Sequence, residues 1–252
     1  MVWRKARLNC MVRFARVQGI CVDKRTIPGG FLIAVEGIDG GGKTTLVSRL
    51  EEMLAARFAE VISTKEPTHG RWGNQLRDTA QSGRLTGAVE MDLMLKDRAE
   101  HVEELIAPAL ARGAVVILDR YFYSSIAYQG SAGIEPRFIE ARNLSFAPLP
   151  DLVLLLDLPS EIGLGRVRAR GDVANAFERA DTLDQARELF RKFLPERPRG
   201  RLIDARQTTD KVYQEALTAL FGAFSEALGK RTGVTVENAE LVLALISDGT
   251  SE

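Results

Sequence analysis

The residues Gly37-Ile38-Asp39-Gly40-Gly41-Gly42-Lys43-Thr44 fit the pattern G-x-x-x-x-G-K-[ST] at every position. Each residue type has a job in holding a polyphosphate. Glycines let consecutive backbone N–H groups point inward without Cβ clashes and form a nest for phosphate oxygens. A helix starting at the lysine adds the partial positive charge of its N-terminus. Lys43 brings a full charge to the terminal phosphates, and Thr44 a hydroxyl ligand for Mg²⁺. The chemistry indicated is binding of a nucleoside triphosphate by Gly37, Ile38, Asp39, Gly40, Gly41, Gly42, Lys43, Thr44 and Thr45.

Such a loop works only between a strand and a helix. Phe31-Leu32-Ile33-Ala34-Val35 is a short apolar run suited to a strand buried on both faces, and Leu46, Val47, Leu50 and Leu54 repeat at helical spacing. A second strand is expected near 61–64, followed by a loop through Pro67 and Gly70, a helix near 74–81, and a long helix over 89–112 that Pro108 kinks or shortens. A third strand over 114–118 ends in Asp119, where a P-loop enzyme places the acid that assists Mg²⁺. A nearly all-aliphatic fourth strand spans 151–158, and an arginine-rich helix spans 161–170. A polar segment over 171–184 leads into a helix ending near 193. A fifth strand near 201–203 and a helix over 210–228 close the domain. Strands alternating with helices predict the α/β class, a five-stranded parallel sheet with helices on both faces.

The chain of 252 residues suffices for one sizeable domain with a real core. Lysine plus arginine equals aspartate plus glutamate at 34 each, so no global field calls for nucleic acid or an anionic membrane. No apolar run approaches the ~20 residues of a spanning helix. Cys10 and Cys21 suggest neither a disulfide framework nor a zinc site, which favours a cytoplasmic protein. Residues 1–28 stand apart. Arg4, Lys5, Arg7, Arg13, Arg16, Lys24 and Arg25 face one acid, Asp23, so this basic extension is expected to be poorly ordered. A targeting segment and an upstream translation start, with the true start nearer Met11, both fit it. The domain is expected over 29–229, with a tail over 230–252.

Taken together, several blocks resemble the thymidylate kinase family of P-loop nucleoside monophosphate kinases. The family's EGxDGxGKTT is matched from Glu36 to Thr45, its DRYxxSxxAYQG from Asp119 to Gly130, its PDLxxxLD with a following RxxxR by Pro150, Asp151, Leu152, Asp157, Arg166 and Arg170, and its FE by Phe177-Glu178. The resemblance implies strand order 2-3-1-4-5, a short arginine-rich lid, a homodimer, and transfer of the γ-phosphoryl of ATP to dTMP with Mg²⁺. It implies that Arg120 holds the acceptor phosphate, a role suited to its forked guanidinium. Arg98 and Ser125 would face the thymine edge, Tyr128 the sugar, and Asp39 the acceptor sugar and metal. Glu66, Pro67, Met94, Ser124, Gln129, Phe177 and Glu178 complete the implied acceptor pocket, and Thr44 with Asp119 the metal site. Lys43, Asp39, Arg120, Arg166 and Arg170 are the implied catalytic set. Some family members carry an arginine inside the glycine loop. Gly41 stands in that region here, so the second cation is expected from the lid.

This chain departs from the family's REPGGT, having Lys65-Glu66-Pro67-Thr68-His69-Gly70 instead. Met94 stands where the family stacks an aromatic on thymine, and Asn175 replaces an acid before Phe177. These changes leave the phosphate chemistry intact and bear on the base. His69 and His101 are read as solvent or packing residues. Two alternatives stay open: a kinase of this fold for another deoxynucleotide such as dUMP, and a regulatory nucleotide-binding P-loop protein. A GTPase should carry N-K-x-D, and the nearest string, Thr64-Lys65-Glu66-Pro67, lacks the acid.

Overall fold

The computed structural model describes residues 13–17, 20–24, 26–82, 86–171, 176–194 and 199–232, with backbone alone at 13–17, 20–24, 80–82, 176–179, 228 and 232. Within the basic extension, β1 (Arg13–Val17) and β2 (Ile20–Lys24) pair as an antiparallel hairpin apart from the main sheet. The domain proper is anchored from Ile27, which is 3% exposed and bonds Gly113 O.

The main sheet is built from β3 (Phe31–Glu36), β4 (Val61–Lys65), β5 (Val115–Asp119), β6 (Leu152–Asp157) and β7 (Gly200–Asp204). All pairings are parallel, in the order β4-β5-β3-β6-β7. Counting only these strands, that is the expected order 2-3-1-4-5. Every residue of β3 and β6 is buried, as continuous apolar runs covered on both faces require. The helix α1 (Lys43–Ala55) packs on β3, β4 and β5 and touches α9 (Thr209–Thr232), whose Phe224 ring stacks on Phe31 at 4.1 Å between centroids.

Register decides what can meet. Val35 lies opposite Asp119, and Asp119 opposite Lys65. The carboxyl ends of β3, β5 and β4 are therefore level. Gly37, Arg120 and Glu66, each just past a strand end, emerge side by side in the crevice where open α/β sheets bind ligands.

Some expectations change. The long helix is not broken at Pro108. α3 (Gly87–His101) passes through one π turn, Val102–Ile106, into α4 (Ala107–Ala111), with Ala107 N–H bonding Val102 O. Pro108 thus falls in the first turn of α4, directly after the π turn, where a missing N–H is best tolerated. The helix before it, α2, spans Arg71–Ser82. Two helices between Arg120 and Pro150 lie outside the expected elements, α5 (Phe122–Ser131) and α6 (Pro136–Leu144). The arginine-rich helix is α7 (Ser160–Ala169), and α8 (Ala176–Phe193) begins inside the segment expected to be a connection.

At the end of the sheet away from the crevice, Asp151 accepts hydrogen bonds from Leu32 N–H at 3.0 Å and from Arg231 of α9 at 2.8 Å. Asp151→Ala leaves the buried Leu32 N–H short of an acceptor and frees the end of α9. The expected loss is about 1–3 kcal/mol of unfolding free energy in urea. An unchanged urea midpoint would show that this clasp is not structural.

Candidate active site

The glycine loop closes on itself. Lys43 Nζ donates to Ile38 O at 2.9 Å, and Gly41 N–H to the same carbonyl at 3.2 Å. Gly42 caps α1 at φ 88° without a side-chain hydrogen bond, so the helix's first N–H groups face the cavity without a side-chain partner. Gly40, at φ 78°, packs so closely on α7 that a Cβ would lie 2.1 Å from Gly163 O. That contact seats the arginine-rich helix against the loop. Thr44 Oγ1 donates to Asp119 Oδ2 at 2.6 Å, bringing together the two oxygen donors expected to serve a metal.

Across the crevice, Arg120 reaches back over the loop. Its Nη1 donates to Gly37 O and Ser124 Oγ at 3.2 Å, its Nη2 to Asp39 Oδ1 at 2.8 Å, and it lies 5.2 Å from the Tyr128 ring centre. Tyr128 OH donates to the other Asp39 oxygen at 3.3 Å. Charges this close shift one another. Burial pushes Lys43 down to about 7 and the Arg120 charge adds to that, partly offset by Asp39, Asp119 and Glu36. Burial works against the charge on Arg120, but Tyr128, Asp39 and Glu36 together outweigh it and raise its pKa. Asp39, against the pull of burial, is held low by Arg120 and then Lys43. Burial raises Tyr128 to about 12. Glu36, fully enclosed beneath the loop, is pushed up to about 7 by burial despite Ser124, Arg120, Tyr121 and Lys43.

Arg98 is 0% exposed, the largest fully buried side chain described. Its Nε bonds Glu66 Oε2 at 2.7 Å, its Nη1 Asn143 Oδ1 at 2.5 Å and its Nη2 Ser125 Oγ at 3.2 Å. Glu66 also meets His101 Nδ1 at 3.2 Å, and His101 Nε2 meets Thr64 Oγ1 at 3.0 Å. The loop after Glu66 is clamped from two helices. Thr68 donates twice to Asp97 of α3, and Arg77 of α2 donates to the carbonyls of Pro67 and Thr68. Gln129 Nε2 bonds Glu90, while its Oε1 is the one buried side-chain polar atom without a partner among the described residues. Met94 packs with Leu76, Leu93 and Trp72 one helical turn before Arg98.

Cavities open beside the loop and α1 among the described residues. One of about 170 Å³ is lined by Asp39, Lys43, Thr44, Glu66, Asp119, Arg120 and Arg170. A second, of about 400 Å³, lies between the glycines, Thr45, Arg49, Arg166, Arg170, Gln207 and Val212. A third, of about 500 Å³, lies between α1 and α3 beside His69, Glu100 and His101. The two lid arginines differ. Arg166 donates to Gly40 O and Ala205 O, whereas Arg170 borders both of the first two cavities. Phe177 and Glu178 sit in the first turn of α8 with side chains outside the described residues, as is Asn175 altogether. Sequence reasoning missed Glu36 as a buried anchor, along with Asp97, His101 and Asn143. For Glu36, its place beside the motif was a signal. The other three act only through contacts with distant segments.

The free-protein state of Lys43 has a measurable consequence. With its pKa near 7, much of Lys43 is neutral at pH 8, and a bound polyphosphate restores its charge. ATP binding at pH 8 therefore takes up a fraction of a proton. Calorimetry in two buffers of different ionisation enthalpy should show that uptake, and Lys43→Met should abolish it. Equal uptake in both proteins would place the proton elsewhere.

The thymidylate kinase family profile matches residues 35–216. A thymidylate kinase of Xanthomonas campestris pv. campestris (strain B100) is 51% identical over 223 residues, covering 88% of this chain and 96% of its own. One from Xanthomonas euvesicatoria pv. vesicatoria is 48% identical over 222 residues, with the same coverage, and one from Xylella fastidiosa (strain M12) is 45% identical over 211 residues, covering 84% and 96%.

Proposed function

The chain belongs to the thymidylate kinase family, and on that premise we propose that it transfers the γ-phosphoryl of ATP to dTMP, giving dTDP and ADP. The observation that carries the proposal is the cavity of about 170 Å³, where the donor-loop residues Lys43 and Thr44 share one space with Arg120, Glu66 and Arg170. A regulatory nucleotide switch has no use for a second charged wall facing its phosphates.

Phosphoryl transfer asks a protein mainly for positioning and for neutralising charge. The loop amides and Lys43 hold the donor phosphates, and the 400 Å³ cavity beside Arg49 and Gln207 has room for the donor nucleoside. Arg120 turns its guanidinium from Asp39 to the acceptor phosphate, which leaves Asp39 and Tyr128 beside the acceptor sugar. Arg98, locked by Glu66 and Asn143, presents a fixed donor edge with Ser125 to the base. Glu66 and Pro67 form one wall, Ser124 steadies Arg120, and the unpartnered Gln129 Oε1 offers an acceptor. Met94, Phe177 and Glu178 complete the pocket in this reading. Thr44 and Asp119, a close pair of hard oxygen donors, would hold Mg²⁺, which when bound neutralises phosphate charge. The proposal extends to a homodimer and a cytoplasmic setting. Among the described residues, no helix is long and apolar enough to cross a membrane.

The test is ADP release with ATP, Mg²⁺ and each of dTMP, dUMP, dCMP and AMP. The proposal expects the highest kcat/KM for dTMP, and no turnover of dTMP would end it. Preference for dUMP would favour the sister activity, because one methyl contributes only about 1–3 kcal/mol of selectivity. The lid arginines should separate. Arg170, which borders both donor and transfer cavities, carries the transition-state charge, so Arg170→Ala should lower kcat by roughly 10³-fold or more with ATP affinity little changed. Arg166→Ala, which releases Gly40 O and Ala205 O, should chiefly raise KM for ATP. The reverse pattern would transfer the role to Arg166.

A further inference from the structure

Arg120 is the one non-glycine residue with positive φ among those described, at 74°. A left-handed backbone costs a residue with a Cβ about 1 kcal/mol or more, so neighbouring structure must hold it there. The helix that follows cannot do so from its own sequence. Tyr121 occupies the N-cap of α5, in an extended conformation, and makes no capping bond with its side chain. Ser124 N–H donates to Tyr121 O at 3.0 Å, but the buried Tyr121 N–H needs an acceptor from elsewhere.

Glu36, the last residue of β3, supplies it. Its Oε1 accepts from Tyr121 N–H at 2.8 Å and from Ser124 N–H at 3.3 Å, and its Oε2 accepts from Ser124 Oγ at 2.6 Å. The carboxylate is 0% exposed. Ser124 Oγ in turn accepts from Arg120 Nη1, and Arg120 N–H bonds Val35 O at 3.0 Å. Both backbone N–H groups flanking the strained φ,ψ pair of Arg120 are thus tied to β3, the strand that launches the glycine loop. We propose that Glu36 is a positioning residue for the acceptor phosphate: by capping α5 from a neighbouring strand it holds Arg120 in the left-handed conformation that aims its guanidinium over the donor loop.

The geometry predicts which feature of Glu36 matters, namely reach rather than charge. Glutamine keeps the reach. Its carbonyl oxygen can accept from Tyr121 and Ser124 N–H while its amide donates to Ser124 Oγ, which has a free lone pair. Aspartate keeps the charge but falls one methylene short of both N–H groups. A residue that served only as a negative charge beside Arg120 and Lys43 would reverse that order.

The experiment compares wild type, Glu36→Gln and Glu36→Asp by KM for dTMP at saturating ATP, by equilibrium ATP affinity without dTMP, and by thermal midpoint. The expected result is KM for dTMP within about threefold of wild type in Glu36→Gln and raised roughly tenfold or more in Glu36→Asp, the loss of about one charge-assisted hydrogen bond, with ATP affinity changed far less. A smaller KM effect in Glu36→Asp than in Glu36→Gln would overturn the inference. So would parallel changes in dTMP and ATP binding, which mark a general structural role. If Glu36→Asp does not fold, Glu36→Gln decides alone: a tenfold rise in its KM for dTMP overturns the inference, and retention supports it. The inference rests on the acceptor reading above, and wild-type turnover of dTMP tests that reading separately.

Discussion

One guanidinium joins the two halves of this site. Arg120 stands just past β5, yet its hydrogen bonds go to Gly37 O and Asp39 of the loop after β3. That reach exists because β3 and β5 are adjacent and in register, with Val35 opposite Asp119. A shift of one residue would move Arg120 by about 3.3 Å and turn its neighbours to the opposite face. The sheet's long apolar strands therefore do more than fill a core. They fix the distance between the glycine loop and Arg120, the proposed donor cradle and acceptor clamp, and in phosphoryl transfer misplacement of about 1 Å can cost roughly 10²-fold in rate.

Charge balance explains the contact between Arg120 and Asp39. Lys43 and Arg120 converge on the 170 Å³ cavity, and the Arg120 charge disfavours that of Lys43. Asp39 partners Arg120, and with a side chain 53% exposed it is a solvated partner, one that in the proposed reading an acceptor phosphate displaces. Arg98 follows different physics. Arg98 and Glu66 are 0% and 1% exposed, and such a pair costs desolvation that its mutual attraction does not reliably repay. Its return is rigidity. With Glu66, Asn143 and Ser125 all bonded to it, the Arg98 guanidinium is held in a single orientation.

What could be read from the chain depends on how local each constraint is. The glycine loop was legible because φ, close packing and phosphate chemistry are all settled within a few residues, and β3 and β6 because a doubly covered strand must be a continuous apolar run. The α5 helix was not, since its cap comes from Glu36, 85 residues upstream, and its sequence carries no start signal of its own. The α6 helix could have been read: Glu135 caps Phe138 N–H, and Pro136 stands at the first helical position. Pro108 signalled an irregularity in the long helix, and the π turn just before it is the form it takes, which the sequence alone does not specify. The arginine pair at 166 and 170 was visible as a spacing, but only the bonds to Gly40 O and Ala205 O separate an anchored Arg166 from an Arg170 that lines the 170 Å³ cavity. His101 looked like a packing residue. It is buried, but it also bonds Glu66, a contact with no trace in its own neighbourhood of sequence.

In the proposed reaction a single small cavity brings both phosphates together by exchanging Asp39 for the acceptor on Arg120. A crystal structure with dTMP and a non-hydrolysable ATP analogue bound together tests this most directly. Expected are the acceptor phosphate on the Arg120 guanidinium with the Asp39 contact released, the γ-phosphate on Lys43 and Arg170, and the reacting oxygen about 3–3.5 Å from the γ-phosphorus. An acceptor phosphate seated elsewhere, with Arg120 still bonded to Asp39, would contradict it.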